Sequence, residues 1–217
     1  ATCASSIRSA ICAARQKQSP TKADWKRASK VTHNLTAGRT AGNGSLMRTA
    51  YVGLYYSDEQ EIRQKAYDIS RMTHYDEDTA IDCAAYCAAL NEVSETENFD
   101  ERIAAIIGCT EREGRYHFYA LSSPFFTPNP TGYVVDSFAS ALHCIYTTRS
   151  FEDAVVKAIN LGGDADTIGA ITGGLAGALY GYDAIPKQWI STLFTDTRNE
   201  INELCDVAIK ARTEAGA

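Results

Sequence analysis

The chain has 217 residues, 45% of them hydrophobic and 22% charged, values with which a single domain over residues 1–217 can bury its own core. Its 27 acidic residues outnumber its 21 lysines and arginines, for a net charge of −6, which argues against the basic face that grips a nucleic-acid backbone. No apolar run reaches the roughly 20 residues that cross a bilayer, and the start, ATCASSIRSAICAARQ, lacks the regions of a signal peptide. We therefore expect a cytoplasmic protein without a nucleic-acid or membrane partner.

Helical periodicity dominates the chain and predicts an all-α fold. Asp58, with Glu61 three residues later, is predicted to start one helix, and Ser150 is predicted to cap another. Apolar residues at helical spacing predict helices near Leu46 and over residues 58–72, 77–92, 100–112, 133–146, 150–159 and 196–212. Only YHFYAL at 116–121 resembles a strand, and it is short.

Two segments interrupt the helical pattern. SSPFFTPNPTG at 122–132 contains three of the five prolines, so a loop is predicted there. AGRTAGNGS at 37–45 contains three glycines and is predicted to form a turn that leads into the helix near Leu46.

Cysteine usage is typical of a reducing compartment. The seven cysteines include no CxxC pair. Cys83 and Cys87 are four residues apart, but no His or Cys pair stands nearby to complete a zinc site. We therefore expect buried, reduced thiols.

The segment LGGDADTIGAITGGLAGALYG at 161–181 is the most informative one. Gly169, Gly173, Gly177 and Gly181 recur every four residues, with Ala170, Gly174 and Ala178 beside them. Together they would form a glycine ridge along one side of a helix. Each interior glycine costs about 1 kcal/mol relative to alanine, so the series needs a gain in packing. We predict a buried central helix whose ridge lies against another backbone, where Gly173→Leu would cost roughly 1–3 kcal/mol.

The entrance of this helix carries Asp164, Asp166 and Thr167. One interpretation is capping, in which one aspartate is the N-cap and the other lies in the first turn. The other is a metal site, because two carboxylates and a hydroxyl are the hard oxygen donors that suit Mg²⁺, Mn²⁺ or Ca²⁺. The spacing fits neither an EF-hand nor a DxDx[TV] phosphatase motif. From the residues alone, capping and metal binding both stay open.

Two further candidate sites, a glycine turn and a histidine, precede the DADT segment in the chain. A glycine turn that opens onto a helix offers backbone N–H groups to a phosphate, although Gly-Asn-Gly is also an ordinary tight turn. This glycine turn consists of Gly42, Asn43, Gly44 and Ser45. His74, in MTHYDED, fits a cap or a hydrogen-bonded structural role as well as a catalytic one.

Five segments stand out together: GNGSLMR at 42–48, THYDED at 73–78, GYVVDSFASAL at 132–142, NLGGDADTIGAITGGLAGALYG at 160–181 and IPKQW at 185–189. In their order and spacing they resemble the ADP-ribosylglycohydrolase family, which includes the bacterial dinitrogenase-reductase-activating glycohydrolase. The resemblance extends from about Ile7 over almost the whole chain, and the glycine-flanked DADT segment is its most specific part.

The resemblance implies an orthogonal multi-helix bundle with a dinuclear Mg²⁺ or Mn²⁺ site. The implied reaction is hydrolysis of the N- or O-glycosidic bond between ADP-ribose and a protein side chain. Asp164, Asp166 and Thr167 are the implied metal ligands, with Asp166 bridging, and the two aspartates are the implied catalytic residues. The implied substrate-binding residues are Arg39, Thr40, Gly42, Asn43, Gly44, Ser45, His74 and Tyr133. The expected partner is an ADP-ribosylated protein or a small molecule that contains ADP-ribose.

One part of the family pattern is missing. Family members carry a Thr-Asp-Asp-[Ser/Thr] motif near the N-terminus and an acidic residue before the helix that would correspond to Ile7–Ile11, and neither occurs here. We therefore expect the family's N-terminal helices to be missing and a separate N-terminal segment to be a partner. The chain would then be the larger C-terminal portion of a hydrolase, slow or inactive alone. The alternative is a catalytically silent relative that binds ADP-ribose or is structural.

Overall fold

The computed structural model describes residues 8, 11, 12, 15 and 19–214. Within these residues the predicted all-α fold is confirmed. The eleven helices of this part are α1 (Lys22–Leu35), α2 (Tyr51–Tyr55), α3 (Glu59–Ser70), α4 (Glu77–Ser94), α5 (Phe99–Glu111), α6 (Phe118–Leu121), α7 (Val134–Tyr146), α8 (Phe151–Ile159), α9 (Ala165–Tyr180), α10 (Lys187–Thr192) and α11 (Thr195–Glu214). The described residues form no β-strand, and an isolated antiparallel bridge joins Gly42 to Tyr133.

Polar residues start the helices where the sequence predicts them. The Asp58 carboxylate accepts a hydrogen bond from the Glu61 backbone N–H at 2.8 Å, which caps α3. The Ser150 hydroxyl accepts one from the Asp153 N–H at 3.0 Å, which caps α8. Both side chains satisfy N–H groups that lack a partner within the helix, so both predicted starts are confirmed.

Helix α4 forms the centre of the core. Its side chains from Ala80 to Val93 are almost all buried, and the helix packs against α2, α3, α5, α7 and α9. Its small residues allow neighbouring backbones to come close. A Cβ atom at Gly53 of α2 would lie well under 3.0 Å from the Cys87 carbonyl oxygen, so α2 approaches α4 at a distance that only glycine allows.

Three predictions about local structure were wrong or incomplete. Residues 116–121 form no strand, because Phe118 starts the short helix α6 and its N–H donates to the Glu111 carboxylate at 2.6 Å. The helix expected near Leu46 is a 3₁₀ turn, Leu46–Arg48, that is followed by α2. Helix α1 was not predicted at all, although a capping box between Thr21 and Asp24 marks its start.

The glycine ridge is only partly a close-packing surface. A Cβ at Gly173 would meet Val155 at an ordinary 4.0 Å, and one at Gly177 would meet nothing within 4 Å. The close approaches of α9 lie at Gly169, where a Cβ would be 3.0 Å from Ile159, and above all at Gly174, which the sequence places beside the four-residue series. Among the described residues, a close contact at the first side-chain carbon of residue 173 is therefore absent, and the tightest contact lies at the neighbouring Gly174.

The prediction of buried, free thiols is confirmed for four of the six described cysteines. Cys83, Cys87, Cys109 and Cys144 are buried free thiols, whereas Cys12 and Cys205 are free and exposed. None of the helices in the described part of the chain is long and apolar enough to cross a membrane.

Candidate functional site

The glycine turn is held against the residues that precede α7. The Asn43 backbone N–H donates to the Gly132 carbonyl at 3.1 Å, and the Val134 N–H donates to the Ala41 carbonyl at 3.0 Å. These two hydrogen bonds form the bridge between Gly42 and Tyr133. Two segments that are about ninety residues apart in sequence are thereby fixed side by side.

The Asn43 side chain connects this bridge to the entrance of α9. Its side chain is almost fully buried, and Nδ2 donates to the Ser137 hydroxyl at 2.7 Å and to the Asp164 carboxylate at 2.6 Å. A hydrogen bond to a carboxylate is stronger than one between neutral groups. Asn43 therefore fixes the orientation of Asp164 relative to α7 and the glycine turn.

Two glycines allow the chain to enter α9 at this place. Gly162 and Gly163 have φ values of +76° and +59°, a left-handed conformation that other residues rarely adopt. A Cβ at Gly163 would also lie well under 3.0 Å from the Pro130 carbonyl oxygen, which accepts the Asp164 N–H at 3.0 Å. The turn is thus pressed against the proline-containing loop.

The Asp164 carboxylate at this entrance does not cap α9. Asp164 occupies the N-cap position of α9, but its side chain makes no capping hydrogen bond and points instead to Asn43. Asp166 lies exposed in the first turn, and Thr167 is buried with its hydroxyl 3.6 Å from the Met47 sulfur. The capping interpretation was therefore wrong for Asp164.

Asp164, Asp166 and Thr167 are the residues here whose side chains could hold a metal ion. Two carboxylates and one hydroxyl are suitable donors for Mg²⁺ or Mn²⁺. Residues 19–214 and the four described positions before them contain no group of three or more His, Cys, Asp or Glu side chains that are close enough together to hold a metal ion. A cation at this entrance would therefore need further ligands from water, substrate or other residues.

Tyr133 lies beside the glycine turn with 41% of its surface exposed. Its hydroxyl donates to the Asp78 carboxylate at 3.0 Å. Partial burial and this hydrogen bond raise the pKa of Tyr133 to about 12, so the hydroxyl remains protonated at neutral pH. Its ring is available to a ligand while its hydroxyl is held.

His74 lies inside the protein. Its ring is fully buried, with Nδ1 2.9 Å from the Thr73 hydroxyl, which accepts a hydrogen bond from Arg48 at 2.6 Å. Burial, and to a lesser degree the positive charge of Arg48, lower the pKa of His74 to about 3. The imidazole is therefore neutral at pH 7.

The structure brings only some of the predicted site residues together. Gly42, Asn43, Tyr133 and Asp164 are connected by the hydrogen bonds described above. Three others contact different partners or face outward: Thr40 Oγ1 lies 2.5 Å from His33 Nδ1, Ser45 Oγ lies 2.9 Å from Ser70 Oγ, and Arg39 is exposed. Gly44 is buried within the turn.

Sequence reasoning missed three residues near this place, Ser137, Asp78 and Arg115. Ser137 accepts from Asn43 and donates to the Thr131 carbonyl at 2.7 Å. Arg115 donates to Asp78 at 2.6 Å. Asp78 and Ser137 lie within THYDED and GYVVDSFASAL, two segments that carry the resemblance, but a serine within a helix and an aspartate in a first turn are ordinary occurrences and neither was singled out. Arg115 lies outside all five segments.

Comparison with known proteins gives three concordant results. The ADP-ribosylglycohydrolase family model matches residues 2–217. ADP-ribosylarginine hydrolase Tri1 of Pseudomonas putida is 31% identical over 163 residues, which are 70% of this chain and 42% of that protein. ADP-ribosyl-[dinitrogen reductase] glycohydrolase of Rhodospirillum rubrum is 40% identical over 79 residues, 36% of this chain and 27% of that protein.

A solved structure extends the likeness to the whole fold. It is described as an ADP-ribosylglycohydrolase-related protein complex, and it superposes with a TM-score of 0.69 and 27% identity over 96% of this chain and 81% of that chain. The chain spans less than half of the length of the two bacterial relatives above. Since the family model covers nearly every residue and the fold agrees, this chain belongs to the ADP-ribosylglycohydrolase family.

Proposed function

We propose that this protein is a hydrolase that removes ADP-ribose from modified protein side chains. The observation that carries the proposal is the contact between Asn43 and Asp164, 121 residues apart, beside the exposed ring of Tyr133. This contact joins the glycine turn to the acidic entrance of α9. Family membership supports the same reaction, since relatives are named as ADP-ribosylarginine hydrolase and ADP-ribosyl glycohydrolase.

Asp164, Asp166 and Thr167 are the residues that would hold Mg²⁺ or Mn²⁺. Two observations support this. The Asp164 carboxylate does not cap its own helix, and the Asn43 amide orients it through a hydrogen bond to Oδ2. Orientation of a ligand by a second residue is typical of metal sites. When bound, such a cation would polarise ribose oxygens and orient a water for attack at the anomeric carbon.

The other residues would bind and orient the nucleotide. Arg39 is exposed ahead of the glycine turn and can offer positive charge to a pyrophosphate. The ring of Tyr133 can stack on an aromatic ring or cover a sugar ring of the ligand, since aromatic faces stack on many kinds of base. His74 is neutral and buried, so its contribution would be hydrogen bonding and shape rather than charge.

A second candidate is a relative that binds ADP-ribose without cleaving it. One observation favours it: in the described part of the chain, Asp164 and Asp166 are not joined by a third His, Cys, Asp or Glu side chain that would complete a metal cluster. The two candidates differ in turnover but share a binding site.

The test is a release assay on the complete protein with arginine- and serine-linked ADP-ribosylated proteins, in Mg²⁺, Mn²⁺ or chelator. We expect free ADP-ribose with one linkage, and loss of release in chelator. Asp166→Ala should abolish release and calorimetric metal binding, whereas Asp183→Ala, an exposed aspartate after α9, should preserve both. Tight ADP-ribose binding with no release from either substrate would favour the silent relative instead.

A further inference from the structure

A charged cluster connects the hydroxyl of Tyr133 to the protein interior. The cluster consists of Asp78 and Asp82 on α4 with Arg115 and Tyr116 between α5 and α6. Arg115 donates to Asp78 at 2.6 Å and lies 4.0 Å from the Asp82 carboxylate. The Tyr116 hydroxyl donates to Asp82 at 2.7 Å.

Stabilisation of the fold is, by itself, a weak explanation for this arrangement of charged side chains. Asp82 is fully buried, and both its Oδ1 and the Nη1 of Arg115 lack a hydrogen-bond partner among the described residues. A buried carboxylate in such a state costs free energy that an apolar side chain of similar volume would not. The position of Arg115 between two carboxylates therefore needs another explanation.

Tyr133 is held at both of its ends. Its backbone is fixed by the two hydrogen bonds that join residues 132–134 to the glycine turn. The far end of its side chain is fixed by Asp78, which is itself held by Arg115. Between these two anchors, the ring is 41% exposed, and an exposed ring without the second anchor would be free to turn.

We infer that Asp78 and Arg115 are positioning residues, which hold the ring of Tyr133 in the orientation that binds the nucleotide. This inference rests on the proposed function, because it concerns the binding of ADP-ribose at the same site. Asp78 touches the tyrosine hydroxyl, and Arg115 acts through Asp78. A ring that is already oriented loses less conformational entropy when the ligand binds.

The test is a double-mutant cycle, read as the Kd of ADP-ribose by calorimetry with the complete protein. Tyr133→Phe removes only the hydroxyl, and Asp78→Ala removes its acceptor. Each change should weaken binding roughly three- to tenfold, as expected for one lost hydrogen bond. The double variant should bind no more weakly than either single one, because the two changes break the same contact.

Two further variants keep the inference falsifiable if Asp78→Ala fails to fold. Arg115→Lys should weaken binding in the wild type but not in the Tyr133→Phe background. Asp78→Asn keeps an acceptor for the hydroxyl and should lose less affinity than Asp78→Ala. The matched control is Glu59→Ala, which breaks a similarly exposed arginine–carboxylate pair with Arg63 on α3 and should leave the Kd unchanged.

The outcomes separate this inference from the proposed function. Additive losses in the double variant, or an unchanged Kd in both single variants, would overturn the inference and leave the proposed function standing. Failure of the wild-type protein to bind ADP-ribose at all would overturn both.

Discussion

Gly174 allows the closest side-chain approach to α9, so its replacement by alanine should cost stability that the same change elsewhere on the helix does not. A Cβ there would lie well under 3.0 Å from the hydroxyl of Tyr86 and 3.3 Å from its Cζ. Tyr86 cannot move aside toward solvent, because it is fully buried and packs edge-on against Phe138 at 5.9 Å. Its hydroxyl also donates to the Ile171 carbonyl at 3.3 Å.

Gly177 on the same helix is a matched control, since a Cβ there would meet nothing within 4 Å. Replacing either glycine by alanine gains about 1 kcal/mol of helix propensity. Only Gly174→Ala adds an overpacking cost, typically about 1–3 kcal/mol. The difference in the free energy of unfolding between the two variants therefore isolates the clash with Tyr86.

The assay is thermal unfolding of Gly174→Ala and Gly177→Ala in parallel. For a protein of this size, 1 kcal/mol corresponds to about 2–4 °C in Tm. We expect Gly177→Ala to melt above the wild type, and Gly174→Ala to melt below Gly177→Ala by about 2–12 °C. Two variants with the same Tm would refute the proposed packing of α9 against Tyr86.

Three further predictions concern buried groups and the turn into α9. Burial raises the pKa of Asp82 to about 7, so as the pH rises the unfolded state releases this proton before the folded state does, and the free energy of unfolding should fall between about pH 4 and pH 7. Urea titrations should show that Asp82→Asn removes this pH dependence. An unchanged pH dependence in the variant would contradict the prediction. Burial lowers the pKa of His74 to about 3, so between about pH 6.5 and pH 3 only the unfolded state binds this proton, and stability should be lost as the pH falls through that range. The His74→Gln variant should lose less stability, and an equal acid sensitivity of the two proteins would count against a buried neutral imidazole. Gly163→Ala should lower Tm and also weaken the binding of Mg²⁺ or Mn²⁺, because residue 163 has a φ of +59° and a Cβ there would clash with the Pro130 carbonyl oxygen. If calorimetry shows that the variant binds metal with wild-type affinity, the link between this turn and Asp164 is refuted.

The helices with strong caps and apolar stripes could be predicted from sequence. Asp58 and Ser150 cap helices with a clear apolar face, and these starts were correct. Helix α1 buries only Ala28, Ser29 and Thr32, and two of these three are polar, so its buried face is not the apolar stripe on which the other predictions relied. Its capping box was the one local indication.

The site was predictable in its parts but not in its geometry. The glycine turn and the DADT segment each carry a local signal, whereas the contact of Asn43 with Asp164 depends on how α7 and α9 pack. The same limit applies to the ridge, since spacing indicates that glycines share a helix side but not which of them meets Tyr86. Asp78 resembles any acidic residue in a first turn, and only the fold reveals its contacts with Tyr133 and Arg115.

The most direct test of the proposed site is the rate of ADP-ribose release by Asn43→Ala and Asp164→Asn in the complete protein, measured beside Asp183→Asn. Both site variants should lose about 10²-fold or more in kcat, because the oriented carboxylate is lost in each. Asp183→Asn should retain the wild-type rate. Wild-type turnover by folded Asn43→Ala and Asp164→Asn would contradict the assignment of this contact as the centre of the hydrolytic site.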